Sequence, residues 1–395
     1  MKKGSFFKKF LPLVLISILF VHVTAQDKYS ETTFKNDIQV KLDSIRTAAG
    51  FPGATFAIVL NDGKKFEFAT GLSDLEKEIK MKPQDIMFTG STGKTFASAV
   101  ALQLVDEGKL DLDTKISKYF ENEEWFKRVP NHDEMTVRMI MSHTGGLERY
   151  EFKEKFIDDL IANPDKVWKP AELISYILDD QPLHEPGKGW AYSDTDYIFL
   201  GMIIEQICEN TFYKEAGKRI LKPLKLKNTS PSDKRKLEGL ITGYTGDKTP
   251  PFKLPGKVPV DGVYPINPQF EWTGGGYITN SGDLASWAKV LYEGKVFSRE
   301  TLTEMLKPYD FRTGQPSETG YGLGVFVFNS PFGKMYGHGG IFPGYQTEMI
   351  YLPDLKCSIA MQVNADIFSG KINGRLISFI MRALPVIDNY IDHQN

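Results

Sequence analysis

The chain has 395 residues, of which 41% are hydrophobic and 25% charged, with a formal net charge of −2. That is an ordinary globular composition, large enough for one big core or two lobes. The near-neutral balance argues against a nucleic-acid partner, which would need a basic face.

The first 25 residues are a different object from the rest. Lys2, Lys3, Lys8 and Lys9 form a basic start, Phe10 to Val21 is an apolar run, and Val23-Thr24-Ala25 offers small residues before a cleavage point. This reads as a secretory signal peptide over 1–25, with Gln26 first in the mature chain. The competing reading, an uncleaved membrane anchor, is opposed by the shortness of the apolar run. No Cys follows it to signal a lipoprotein, and no later segment is apolar for 18 residues, so no stable span is expected after cleavage. The expected location is the periplasm or the medium, and losing those four lysines makes the mature chain more acidic. Export permits disulfides, but Cys208 and Cys357 both sit in apolar patterns and read as free buried thiols. The histidines lack ligand spacing, so no metal is expected.

Thr33–Ala49 carries Phe34, Ile38, Leu42 and Ile45 at helical spacing. Gly53–Leu60 reads as a buried strand that turns at Asn61-Asp62-Gly63 into a second strand from Lys65. Ser91 to about Gly108 is predicted helical, and residues 109–240 are mostly helix and loop, clearest as a helix over Thr195–Cys208. Residues 242–270, rich in Gly and Pro, read as a long irregular excursion of functional length. Ser281–Leu291 follows Gly274-Gly-Gly-Tyr277 as a capped amphipathic helix. Strands are predicted over Tyr321–Asn329, Lys334–Gly339, Gln346–Leu352 and Cys357–Val363, with a last helix from about Ile372 to Ala383. Strands at both ends and helices between imply an α+β fold: one antiparallel sheet from both chain ends (about 33–90 and 271–385), flanked by the terminal helices, with a mainly helical lobe inserted (about 91–270). The mature chain, 26–395, is expected to be one catalytic unit.

Residues 88–96, FTGSTGKTF, admit competing chemistries. A phosphate loop, G-x-x-x-x-G-K-[ST], needs Gly where Phe88 stands and a parallel α/β context that is absent. A nucleophile elbow, G-x-S-x-G, needs Gly where Thr89 stands. What remains is Ser-x-x-Lys opening a helix. Positions three apart share a helix face, so the Lys94 amine can reach the Ser91 hydroxyl. A lysine can act as base when its pKa is depressed, and a helix start leaves the Ser91 N–H free for an oxyanion. Alone, this motif is common, and Ser91 as a mere cap would explain it.

Two further motifs accompany it. Tyr192-Ser193-Asp194 follows Pro186-Gly187 and precedes a helix, and His338-Gly339-Gly340 ends a strand. In this order and spacing the three resemble the serine β-lactamase-like superfamily: class C β-lactamases, D-Ala-D-Ala carboxypeptidases, D-aminopeptidases and related esterases. Gly90–Leu112, Ser142-His-Thr-Gly-Gly-Leu147, Tyr192–Gly201, Gly274–Leu291 and Tyr336–Tyr345 extend the resemblance over roughly 35–385. It implies a β-lactamase/transpeptidase-like fold. It also implies Ser91 as acylated nucleophile, Lys94 as its activating partner and Tyr192 as proton shuttle, with no cofactor needed. The N–H groups of Ser91 and Ile341 would form the oxyanion hole, with Asp194, His338, Gly339 and Gly340 bordering the substrate. His143, tempting as a base, lies in a turn motif and reads as structural.

Two departures bear on substrate. His338 stands where β-lactamases commonly carry Lys, and is neutral at pH 7 unless shifted. Asp194 stands where the family often has Asn, keeping an acceptor for Lys94 but losing the amide donor. Both oppose a potent β-lactamase. The expectation is an exported serine hydrolase acting on an ester, amide or D-amino-acid peptide, including peptidoglycan-derived ones, with at most weak β-lactamase activity. The alternatives are a non-catalytic or regulatory penicillin-binding-like protein on the same scaffold and, less well matched, a nucleotide binder.

Overall fold

The computed structural model describes Met1, residues 29–246 and residues 252–394. Apart from Met1, the expected leader and its junction at Gln26 lie outside the described residues. The first helix, α1, spans Glu31–Ala49; Ser30 caps it by accepting the Thr33 N–H, and Gly50 ends it in the left-handed region. Then come strands β1 (Gly53–Val59), β2 (Lys65–Asp74) and β3 (Ile79–Lys80), and helices α2 (Lys94–Asp106), α3 (Asp194–Cys208) and α4 (Ser281–Tyr292). The chain closes with β4 (Gly320–Tyr321), β5 (Phe326–Ser330), β6 (Gly333–Phe342), β7 (Tyr345–Leu352), β8 (Cys357–Val363) and helix α5 (Leu376–Asp392).

These strands make one eight-stranded sheet in the order β3-β2-β1-β8-β7-β6-β5-β4, antiparallel at each pairing. The first and last thirds of the chain meet where β1 pairs β8, Phe56 opposite Met361. The expected sheet from both ends is therefore present. One face is covered by α1 and α5. Phe34, Ile38, Leu42 and Ile45 of α1 bury against Phe379, Ile380, Leu384 and Ile387 of α5 and the strand residues beneath, and the Phe34 ring stacks on Tyr390 at 4.2 Å. Each such side chain contributes about 1.5–3 kcal/mol on burial. The other face packs on α4 and the helices between β3 and β4, forming the larger core. Covered on both sides, β1 is buried at all seven positions, which is why it reads as a continuous apolar run rather than an alternation.

Several elements differ from expectation for identifiable reasons. The strand predicted over Tyr321–Asn329 is broken into β4 and β5 by a turn closed by the Gly322 N–H donating to Val325 O at 2.7 Å. The last helix begins later and runs past Pro385, because Ile387 and Tyr390 continue the buried stripe beyond it. A helix over Arg299–Met305, capped by Ser298, was not foreseen. Among the described residues of the 242–270 excursion, Gly243–Tyr244 pairs with Lys257–Val258. Cys208 and Cys357 are both free thiols. Among the described residues no helix is long and apolar enough to cross a membrane.

Candidate active site

Ser91 does not begin the α-helix itself. It sits in a single 3-10 turn, Gly90–Gly93, that runs directly into α2. The turn lies against β6. Thr92 Oγ1 donates to His338 O at 3.2 Å. Gly90 has φ +50, and a Cβ on it would come within 2.6 Å of Ile341 N. A Cβ on Gly340 would lie 2.0 Å from Thr89 O and 3.0 Å from Ser91 N. Only glycine permits this approach, and it sets the peptide groups of Ser91 and Ile341, the two expected oxyanion donors, along one border.

Lys94 is the first residue of α2 and is fully buried. Its Nζ lies 3.3 Å from Ser91 Oγ, donates to Gly274 O at 2.6 Å and pairs with Asp194 Oδ1. The Gly274 carbonyl follows Trp272, held at φ +38 and ψ −114, a conformation that costs about 1–3 kcal/mol in a non-glycine residue and concentrates at functional sites. Burial alone would lower the Lys94 pKa, but the fields of Asp194, Tyr192 and Glu271 prevail and hold it above the usual lysine value. Asp194 opens α3, where the helix dipole favours a carboxylate. Burial would raise its pKa, yet Lys94 and Arg149 hold it far below the usual range.

Arg149 was not foreseen. Its Nη2 donates to Asp194 Oδ2 at 2.7 Å and its Nε to Glu151 Oε1 at 2.6 Å. Nor were Glu151 and Glu271, both lining the same cavity. Burial and then Asp194 push the Glu151 carboxyl well up and bring Glu271 to about 7. The available signal was local. Arg149 and Glu151 fall just after the Ser142–Leu147 stretch, and Glu271 three residues before Gly274.

Tyr192 is brought to the same place. The face of its ring is 4.9 Å from Lys94 Nζ, and its buried hydroxyl has no hydrogen-bond partner among the described residues. Burial raises its pKa. His338 is buried; its Nδ1 donates to Gly339 O at 2.6 Å, so Nε2 accepts from Tyr321 OH at 2.8 Å. Burial and then Lys94 lower its pKa to about 3, which makes it a neutral wall. His143 lies behind Tyr192, ring centroids 4.2 Å apart. Its Nδ1 meets Asp196 Oδ2 at 3.1 Å and the Ser193 N–H at 3.3 Å. Both can reach one nitrogen if burial keeps the Asp196 carboxyl protonated, the direction in which its pKa is pushed. His143 thus packs behind Tyr192, with its Nδ1 taken up by Asp196 and the Ser193 N–H.

The cavity over Ser91 is about 680 Å³ and is walled by Tyr192, Arg149, Glu271, Phe152, Phe326 and the edge of β6. No cluster of His, Cys, Asp and Glu that could hold a metal occurs among the described residues.

A nucleophile-lysine turn on one lobe, a Tyr-Ser-Asp loop beside it and a glycine-rich strand along the site define the serine β-lactamase/transpeptidase superfamily. The chain belongs to the beta-lactamase family, whose model matches residues 37–379. Among curated relatives it is 25% identical to "Protein flp" of Staphylococcus aureus over 345 residues, 84% of this chain and 64% of that protein. It is 23% identical to "Penicillin-binding protein 4*" of Bacillus subtilis over 303 residues, 72% of this chain and 62% of that protein. The chain thus spans somewhat under two thirds of these relatives' length. Among solved structures, the D-stereospecific amidohydrolase of a Streptomyces species superposes with TM-score 0.74 at 27% identity, covering 88% of this chain and 97% of that one. The D-amino acid amidase of Ochrobactrum anthropi, complexed with L-phenylalanine, superposes with TM-score 0.75 at 25% identity, covering 90% and 99%.

Proposed function

We propose that this chain is an exported serine hydrolase that forms an acyl-enzyme on Ser91 and cleaves amides, esters or short peptides of D-amino acids. The single observation that carries this is the Ser91 Oγ to Lys94 Nζ approach of 3.3 Å on the wall of an open cavity. Ser91 Oγ would attack the substrate carbonyl, whose oxygen gathers charge between the N–H groups of Ser91 and Ile341. The serine proton would pass through the Lys94 and Tyr192 pair to the departing nitrogen or oxygen, and water would then hydrolyse the acyl-enzyme. Similarity to a D-stereospecific amidohydrolase and a D-amino acid amidase supports the D-amino-acid class. A neutral His338 in place of a cationic lysine supports weak rather than potent β-lactamase activity.

The test is to incubate the mature protein with a fluorophosphonate and with a penicillin and to weigh the Ser91 peptide. Added mass from the fluorophosphonate is expected; no adduct from either reagent would favour a binding-only protein. A panel of p-nitrophenyl esters, D-aminoacyl amides, D-Ala-D-Ala peptides and nitrocefin then ranks the substrates.

A further inference from the structure

The substitution of Asp for Asn at 194 leaves a question that the sequence alone answers wrongly. A carboxylate has no N–H to offer a substrate, so the site looks deprived of a donor. Both Asp194 oxygens are in fact occupied, Oδ1 by Lys94 and Oδ2 by Arg149. The donor has moved outward by one residue. Arg149 spends Nε and Nη2 on Glu151 and Asp194, while its Nη1 makes no hydrogen bond among the described residues.

The guanidinium is also held in place. Its centre lies 4.2 Å from the Phe152 ring and 5.3 Å from the Tyr192 ring, and its hydrogen bonds to Glu151 and Asp194 fix its rotation. Its side chain keeps 33% of its surface exposed, and it shares a cavity wall with Ser91. A planar cation pinned on two sides with one open N–H edge is a preorganised donor for a carbonyl or carboxylate oxygen.

We propose that Arg149 is a substrate-binding residue whose open Nη1 edge receives the acyl-side carbonyl of an N-acyl or peptidyl D-amino acid, so that such substrates are preferred over D-amino acid amides with a free ammonium. The proposal rests on the hydrolase reading and narrows its substrate class. The charges around the site agree. An arriving ammonium meets Arg149 and, behind it, Lys94, while Asp194 and Glu151 already face those cations. Glu271 and Glu348, which also line the cavity, stand outside the ion pairs as rival anchors for it, but burial pushes their carboxyls up to about 7 and about 8, so neither is a full anion at neutral pH.

The experiment uses Ser91→Ala protein, so that binding is read without turnover, and measures Kd by calorimetry. N-acetyl-D-phenylalaninamide should bind about ten- to a hundred-fold tighter than 3-phenylpropionamide, the span of one hydrogen bond to a charged donor. D-phenylalaninamide should bind no better than 3-phenylpropionamide. Adding Arg149→Gln should bring the N-acetyl preference close to one. Adding Arg149→Lys, which keeps the cation for Asp194 and Glu151 but loses the planar fork, should bring it part of the way. A parent ratio near one, tightest binding by the free ammonium, or a preference that survives in whichever Arg149 variant folds would overturn the proposal. Because these are binding constants, failure of the Ser91 protein to turn over any substrate would count against the hydrolase reading alone.

Discussion

Replacing Asp194 by Asn tests the electrostatic heart of the site. The Lys94 side chain is 0% exposed and that of Asp194 5%, so the variant leaves an ammonium buried without its anion. It also points an N–H₂ or a neutral oxygen at Arg149, where a carboxylate oxygen accepted at 2.7 Å. Removing one partner of a buried pair costs about 3–5 kcal/mol, and that is the expected loss in urea unfolding at pH 7. The sign follows from both shifts. Lys94 is raised, so its contribution is complete below the ordinary lysine pKa and is lost as pH climbs through the folded value. Asp194 is depressed, so its contribution is complete above the ordinary carboxylate pKa and is lost as pH falls through the folded value. The stability difference should therefore be flat from about pH 5 to 9 and shrink outside that window. Without the carboxylate the Lys94 pKa falls, by about 1–3 units for loss of an adjacent opposite charge. If neutral Lys94 is the competent form, the acidic limb of kcat/KM on a p-nitrophenyl ester moves to lower pH by the same amount. A destabilisation under about 1 kcal/mol, a surface-pair value, together with an unmoved limb would show that Asp194 does not hold the ammonium.

Ser91→Ala should abolish turnover and fluorophosphonate labelling while leaving the circular dichroism spectrum and unfolding midpoint nearly unchanged; activity within a few-fold of the parent would refute the nucleophile. Lys94→Ala and Tyr192→Phe should each lower kcat/KM by about 10²–10⁴, the range of general acid–base catalysis. The double variant should lose much less than the product, since residues acting as one relay are not additive. Gly340→Val should drive a side chain into Thr89 O and lift β6 from the Ser91 turn, lowering kcat by about 10²–10³, the value of one oxyanion donor, with the α1–α5 core intact by thermal unfolding. Exported protein should begin at Gln26 by intact mass; retention of Phe10–Val21 would favour the anchor reading.

The parts of the fold legible in the sequence are those with a period of their own or with turns that bound them, β1 and β8 being read from their turns although every position is buried. The α1 stripe and the β2 alternation each announce a period, and β8 is bounded by turn residues that set its ends at Cys357 and Val363. The strand predicted over Tyr321–Asn329 fails because its residues suit a strand locally while Gly322 and Val325 pair with each other instead. The end of α5 fails for the opposite reason. Pro385 is a local stop signal, overridden by burial of Ile387 and Tyr390, contacts that no local pattern contains. The helix over Arg299–Met305 is only seven residues long, too short for a period to stand out.

The site divides along the same line. Ser91, Lys94, Tyr192, Asp194 and His338 were visible because each lies in a short motif with fixed spacing, and the structure brings four of them to one cavity wall with Lys94 buried behind Ser91. Arg149, Glu151 and Glu271 lie beside matched stretches, but their roles follow from packing between loops that are distant in sequence: Arg149 reaches Asp194 across 45 residues. The consequence is chemical as well as topological. Read alone, Asp194 is an anion that deepens the protonation of Lys94 and takes a donor from the substrate. With Arg149 on its second oxygen, its charge is divided between two cations, so Lys94 feels less than a full carboxylate, and the lost amide N–H has a replacement on the same wall. Asp194 and Arg149 together therefore present to substrate what one asparagine would, an acceptor inward and a donor outward, while Lys94 still faces an anion that holds its pKa up. A departure from the family pattern at one position can be made good by a residue that the pattern does not contain.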